Sequence, residues 1–368
     1  MPGLDFAFAG HILRVEAAEA PLAWLQEFVA PWFAAPGTGM PERTITYLID
    51  GSEYARIAGH GPHPGLRTRP CFTLDSGIVS GRVWNASGDD QIVLDEERDV
   101  FYRARPGHAS AVEVIAAADD AAARLALLRV LREYAMLYAG RAGWLILHAA
   151  AVCLGGDGLV VAGPKRAGKT TLLLHALCNE RGAYVSNDRV ALGVGLSGVS
   201  VHGIPTIVTI RRDSTAWFPG LDARLAGAGH YYGHRRAEQA TDRGSPAPAM
   251  SWSLSPPQLC DLLGVEARAS ASVAAVLFPR IGTTAGGLAV EELAADQALE
   301  AWRGALFRSC PPDGMFAIGD GVSASPAASV GRFMPRVRSF ACRLGPDAYA
   351  DGDSGLGAAI RAALTRAP

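Results

Sequence analysis

Apolar residues fall into short alternating runs over the first third of the chain and into longer continuous blocks after it. Stretches rich in Val, Ile, Tyr and Phe recur as RTITYLID (43–50), CFTLDSG (71–77), GRVWNAS (81–87), QIVLDEE (91–97), VFYRAR (100–105) and AVEVIAA (111–117), with turn chemistry such as Ser-Gly-Asp-Asp between them. This spacing predicts a β-rich domain over residues 1–117, interrupted early by a helix at PLAWLQEFVAPWF that Pro31 ends or kinks. DDAAARLALLRVLREYAMLYAG predicts a long helix. Asp119 and Asp120 suit its positive end, Gly140 its C-terminal stop, and Leu125, Leu128, Val130, Leu131 and Ala135 its apolar side. A domain boundary is expected just before this helix, which leaves 118–368 as a second domain.

The pattern then changes to strand, turn, strand, loop, helix, strand. WLILHAAAVCL is a buried strand, GGDG a turn, GLVVAG a second strand, GPKRAGKTT a loop, TTLLLHALCNERG a helix and AYVSNDRVAL a strand. Residues 193–368 read as further strands and helices. A stretch at 222–256 rich in Gly, Ala, Ser, Pro and His suits a mobile loop or lid. The second domain is therefore expected to be α/β.

Composition narrows the function classes. The 368 residues carry a formal charge of −2 with no basic run, which points away from nucleic acid. No apolar stretch reaches membrane-spanning length, and the N-terminus lacks the basic and apolar regions of a signal peptide. The six cysteines form no C-x-x-C pair and no zinc spacing, so they read as reduced thiols of a cytoplasmic protein.

Candidate chemistry concentrates in the loop. Lysine occurs at two positions only, Lys165 and Lys169, and both lie there. Gly163-x-x-x-x-Gly168-Lys169-Thr170 fits the pattern G-x-x-x-x-G-K-[S/T] between an apolar strand and a helix. The glycines let backbone amides turn inward around phosphate oxygens, and the following helix aims its positive end at the same place. A compact ammonium fits inside such a loop, whereas the wide planar Arg fork does not. Gly163, Lys165, Arg166, Ala167, Gly168, Lys169, Thr170 and Thr171 are thus the candidate nucleotide contacts. Lys165 reads either as a second phosphate contact or as an exposed loop residue. Thr170 offers a hydroxyl to Mg²⁺. Asp188, on the strand after the loop helix, suits a metal ligand or a proton acceptor, with a turn-forming or salt-bridging role as the alternative. Asn187 offers an oxygen to a cation but cannot act as a base. His148 is either a core histidine or, through the hairpin, a neighbour of the loop.

The segment LHAAAVCLGGDGLVVAGPKRAGKTTLLLHALCNERGAYVSNDRVAL resembles the core of the HPr kinase/phosphorylase family and its related serine kinases, over Leu147 to Leu192. Weaker likeness follows in GIPTIVTIRRD (203–213) and RVRSFACRLGPD (336–347), and residues 1–117 match no family that can be named. The resemblance implies a domain similar to the HPr kinase C-terminal domain and phosphoenolpyruvate carboxykinase. It implies that Lys169 and Thr170 bind triphosphate and Mg²⁺, that His148 belongs to the site, and that the protein is a homo-oligomer. Two departures stand out: Asn187 replaces the first of two family aspartates, and Thr171 replaces a Glu of the HPr kinases proper. The expectation is an ATP- and Mg²⁺-dependent kinase, with Lys169, Asp188 and His148 as the catalytic set. The acceptor would be a hydroxyl, first a peptide or protein serine and second a small molecule. The alternative is a catalytically inactive nucleotide-binding accessory or sensor protein.

Overall fold

A computed structural model describes residues 1–33, 39–65, 68–74, 77–84, 90–104, 111–196, 198–215, 217–228, 251–282, 288–307, 315–316 and 326–345. The protein is a mixed α/β chain of two compact units, Met1–Trp144 with Arg308–Ala324, and Leu145–Phe307 with Ser325–Pro368.

The first unit opens with a hairpin of β1 (Gly3–Phe8) and β2 (His11–Glu16), turned at Ala9 and Gly10, both at positive φ. This hairpin lies ahead of the runs that the pattern singled out. α1 (Glu19–Val29) ends two residues before Pro31, as expected. β3 (Arg43–Ile49) leads into α2 (Gly51–Gly59), whose start is capped by the Asp50 carboxylate accepting from the Ser52 and Glu53 amides. β4 (Thr68–Leu74), β5 (Gly77–Trp84), β6 (Gln91–Asp95), β7 (Val100–Ala104) and β8 (Ala111–Ala116) complete an eight-stranded sheet of order β1-β2-β3-β8-β7-β6-β5-β4. It is antiparallel except at β2–β3 and β3–β8.

α3 (Ala121–Arg141) packs on β1, β2, β3 and β8, and 14 of its 21 residues are buried. A helix buried nearly all round is a core element, not an amphipathic cover. It therefore belongs to the first unit, and the division falls after it instead of before it. Asp120 caps it, accepting from the Ala123 amide at 2.8 Å, while Asp119 pairs with Arg124. The helix runs past Gly140. Gly143, at φ 73°, makes the reversal and donates to the Gly140 carbonyl.

The second unit begins with β9 (Leu145–Leu154) and β10 (Asp157–Ala162), joined at Gly155 and Gly156. Both glycines have positive φ, 60° and 103°, as the tight turn of a two-residue hairpin requires. Both strands are buried on both faces, which explains their continuous apolar composition. α4 (Lys169–Cys178) follows and packs on both. The strand expected over 183–192 is two strands, β11 (Ala183–Ser186) and β12 (Arg189–Gly195), broken at Asn187-Asp188. β13 (Gly198–Gly203), β14 (Val208–Arg211), α5 (Arg212–Thr215), α6 (Leu221–Ala228), β15 (Ser251–Leu254), α7 (Pro256–Leu263), β16 (Ser270–Ile281), β17 (Leu288–Glu292), α8 (Ala295–Gly304), α9 (Pro326–Phe333) and β18 (Arg338–Leu344) follow.

The main sheet runs β10-β9-β12-β13-β16-β18-β17, with β11 on β9. A parallel pairing of β10 with β16 closes its first five strands into a ring. Leu147, Ala149, Val160, Ala162 and Phe278 share one cluster with Trp302 of α8 and Phe333 of α9.

No helix among the described residues is long and apolar enough to cross a membrane. Cys71, Cys153, Cys260 and Cys342 are buried free thiols and Cys178 is a half-buried one; Cys310 lies outside the described residues. Of the stretch proposed as a lid, 229–250 also lies outside them.

Candidate active site

β10 ends at Ala162, and the chain turns through Gly163–Gly168 into α4. Gly163 and Gly168 take φ values of 151° and 106°. A Cβ on Gly168 would stand 3.1 Å from Leu344 and 3.3 Å from Ile281, so the loop also needs glycine there for its close seat on the ends of β16 and β18. Arg166 holds φ 68°, an uncommon conformation for a residue with a Cβ. No side chain caps α4, so its first-turn amides face the loop without a built-in acceptor. Lys169 is 8% exposed, and its ammonium donates to the carbonyls of Gly163 (2.7 Å) and Pro164 (3.0 Å). Lys165 and Arg166 are exposed, Ala167 and Thr170 half-buried, and Thr171 buried in α4.

Strand register brings the other candidates to this loop. Ala162 pairs with Ala149, so His148 lies one step beyond the point where β10 gives way to the loop. There the segment after α8 takes over the place along β9, with the His148 amide donating to the Ala305 carbonyl at 2.8 Å. Across β9, Arg189 pairs with His148 and the Ala149 amide donates to the Asp188 carbonyl at 3.0 Å. Two strand spacings set the Asp188 backbone about 10 Å from Ala162.

The Asp188 carboxylate is bracketed. His148 Nδ1 lies 3.3 Å from Oδ1, an ion-pair distance not aligned as a hydrogen bond, and Arg189 Nε lies 3.5 Å from Oδ2. Asp188 remains 29% exposed, open enough to meet a ligand. Arg189 is buried with its guanidinium carbon 4.0 Å from the centre of the Phe307 ring, a cation–π seat that fixes it beneath the carboxylate. Neither the Arg189–Phe307 contact nor the strand-like 305–307 segment has a local sequence signal.

Asn187 has a different engagement. Its Oδ1 accepts from the Tyr184 hydroxyl at 2.6 Å and its Nδ2 donates to the Ile207 carbonyl at 3.2 Å. It ties the break between β11 and β12 to the chain leading into β14. Among the described residues no group of three or more His, Cys, Asp or Glu side chains could hold a metal. Mg²⁺ needs no such cage: it binds through one or two carboxylates together with substrate phosphates, and the oxygen donors of Thr170 and Asp188 fit that habit.

A cleft of ≈ 720 Å³ runs along the loop, walled by Gly163–Ala167, by β16 and β18, and by α8. Lys169, His148 and Asp188 do not line it. Leu147 and Ala149 belong to the cluster that includes Phe278 of the cleft, so the intervening His148 points to the other face of β9. The loop thus has the titratable pair on one flank and the cleft on the other. The chain matches no known protein-family profile, and no curated protein gives a significant match to it.

Proposed function

We propose that the protein is an ATP- and Mg²⁺-dependent phosphotransferase built on a phosphate-binding loop similar to that of the HPr kinases, with a hydroxyl as acceptor. The observation that carries this reading is the approach of His148 to Asp188, 3.3 Å, at the strand position beside the start of the Lys169 loop. Lys169 and the uncapped amides of α4 hold the β- and γ-phosphates, which compete with the Gly163 and Pro164 carbonyls for the ammonium. Thr170 and Asp188, together with the phosphates, would hold Mg²⁺, which would offset negative charge there. The acceptor oxygen forms a bond to the γ-phosphorus as the bond to the β–γ bridging oxygen breaks, its proton passes to Asp188, and ADP leaves. His148 and Arg189 hold the carboxylate in place for that transfer. A serine of a peptide or protein is the first acceptor to try and a small-molecule hydroxyl the second.

The test is incubation with γ-labelled ATP, Mg²⁺ and serine-containing peptides or small hydroxyl compounds, read as label and mass gained by the acceptor. Lys169→Ala should abolish nucleotide binding. Asp188→Asn should lower transfer by about 10²–10⁴ while binding persists. The engagement of Asn187 by Tyr184 and Ile207 leaves Asp188 as the one carboxylate at the strand break, which favours a second reading, a nucleotide-binding accessory protein without transfer. Such a protein loses nucleotide with Lys169→Ala and is indifferent to Asp188→Asn.

A further inference from the structure

We infer that the first unit carries a binding site for a phosphate group, built by Arg69 of β4, Arg98 of the turn between β6 and β7, and Arg129 of α3. Asp95, buried at the end of β6, anchors it. A carboxylate has about four acceptor positions, and those of Asp95 are taken. Its Oδ1 accepts from the Glu97 and Arg98 amides at 3.1 and 3.3 Å. Its Oδ2 accepts from the Tyr102 hydroxyl at 3.0 Å and from Arg98 Nη1 at 3.3 Å. Arg129 Nη1 lies 3.8 Å from the same Oδ2, near enough for attraction and too far for a hydrogen bond.

Bracing of the β6–β7 turn accounts for Asp95 and Arg98 alone. Arg129 and Arg69 bring two further cations to the same place. The buried Cys71 lies within electrostatic reach of Asp95, Arg69 and Arg129 together, and the Arg129 guanidinium carbon stands 5.0 Å from the centre of the Phe72 ring. Arg98 Nε, Arg129 Nη1 and Arg69 Nε are buried and meet no acceptor among the described residues. A buried donor without an acceptor is costly, the more so on a charged group. Charge points the same way. Among the described residues these three guanidiniums face two carboxylates, Asp95 and Glu97, and Glu97 meets Arg98 at 3.2 Å from the surface, more than half exposed. Burial first, then the charge of Arg98, holds the Arg129 guanidinium below its ordinary value, a strain that a bound anion relieves.

The origin of the donors sets the ligand class. They come from three separate elements, whereas a planar carboxylate is met by a single guanidinium fork in its own plane. A tetrahedral oxyanion presents oxygens in several directions, and Arg is the side chain suited to phosphate in a partly buried seat. The seat can be reached: the Arg98 and Arg129 side chains are 13% and 15% exposed, and Arg69 is half-buried. All of these residues belong to the first unit, so the site is independent of the Lys169 loop.

The experiment measures binding of inorganic phosphate by calorimetry in full-length Lys169→Ala, which removes any contribution of the loop. This variant should bind phosphate, and adding Arg69→Gln or Arg129→Gln should weaken it at least ~10-fold, the worth of one hydrogen bond to a charged group. Acetate should bind at least ~10-fold more weakly than phosphate, for want of oxygens in the third and fourth directions. Arg69 has no ion pair among the described residues, so Arg69→Gln breaks none and decides if Arg129→Gln fails to fold. O-phosphoserine beside inorganic phosphate tells a phosphomonoester group from the free ion, and either order of affinity supports the site. No phosphate binding by Lys169→Ala, binding that survives both Arg substitutions, or acetate bound as tightly as phosphate overturns the assignment, while the loop reading stands.

Discussion

Asp188 gains its interest from its company: an imidazole at 3.3 Å, a guanidinium at 3.5 Å, and enough exposure to reach a ligand. Asp188→Asn keeps the shape and removes the basicity, so turnover should fall by about 10²–10⁴ while nucleotide affinity changes little. Rapid-quench transfer and calorimetry on the same sample separate the two effects. The cysteines make the opposite case. Burial pushes the Cys71, Cys260 and Cys342 thiols up to about 12. At pH 8 only about one in 10⁴ of each would be thiolate, so in native protein these three should resist a disulfide reagent that titrates them after unfolding. Rapid native labelling of any of the three, located by peptide mapping, would contradict the burial. Lys169 stands out as a candidate in the sequence because its signal is local, a lysine closing the spacing Gly163-x-x-x-x-Gly168 between strand and helix. The role of Asn187 does not, since Tyr184 and Ile207 reach it only once β11 has broken from β12.

Among the elements, the β9–β10 hairpin was legible from Gly155-Gly156, because two adjacent glycines between apolar strands leave few other folds for the chain. The break at Asn187-Asp188 was legible only in part: the polar run Ser186–Arg189 interrupts the apolar pattern, but the tertiary pairings with β9 are what make it two strands. Nor does any local pattern announce that β10 also pairs with β16. That pairing sets a sharp demand at Gly158, where a Cβ would stand 2.6 Å from the Ser272 carbonyl oxygen and 3.0 Å from Ala271. Backbone cannot yield as a flexible side chain does. Gly158→Ala should therefore cost about 1–3 kcal/mol in urea unfolding, as other overpacked sites do. A cost near zero would mean that β10 and β16 are not in contact. On α2, Glu53 answers Arg56 at 2.7 Å and also pairs with Arg103 of β7. Hydrogen bonds from Arg56 first, then Arg103, hold its carboxyl down to about 2. The folded value lies below the unfolded one of about 4.3, so the contribution is complete above that pH, shrinks below it and is lost as pH falls through 2. Solvent exposure keeps it under about 1 kcal/mol. Glu53→Gln should lower stability at pH 7 by up to that amount and by only a small part of it at pH 2, a difference that denaturant midpoints at the two pH values would show.

At the scale of the whole molecule, a two-part chain with a β-rich first part is what the strand pattern announced, but the parts are not consecutive pieces of sequence. The first unit takes back Arg308–Ala324 after the second has been started. No local feature of a sequence names the distant surface on which a segment will lie, so this return was invisible before the fold. Its weight rests on Phe316, which is fully buried, with ring centres 4.9 Å from Phe72, 5.3 Å from Tyr102 and 6.1 Å from Tyr134. The Met315 amide donates to the Pro70 carbonyl at 2.8 Å and fixes the approach. A fragment ending at Trp144 would keep the sheet and α3 but leave three aromatic rings facing a void. Removing the Phe316 ring from the intact chain should cost about 3–5 kcal/mol, and Phe316→Leu, which refills part of the space, clearly less. The fragment 1–144 should bind a hydrophobic dye and show weakened near-UV dichroism with its far-UV signal largely kept. A fragment as cooperative in unfolding as the full chain, together with a Phe316→Ala variant of unchanged midpoint, would show that the returning segment is an ornament on a unit already complete at Trp144.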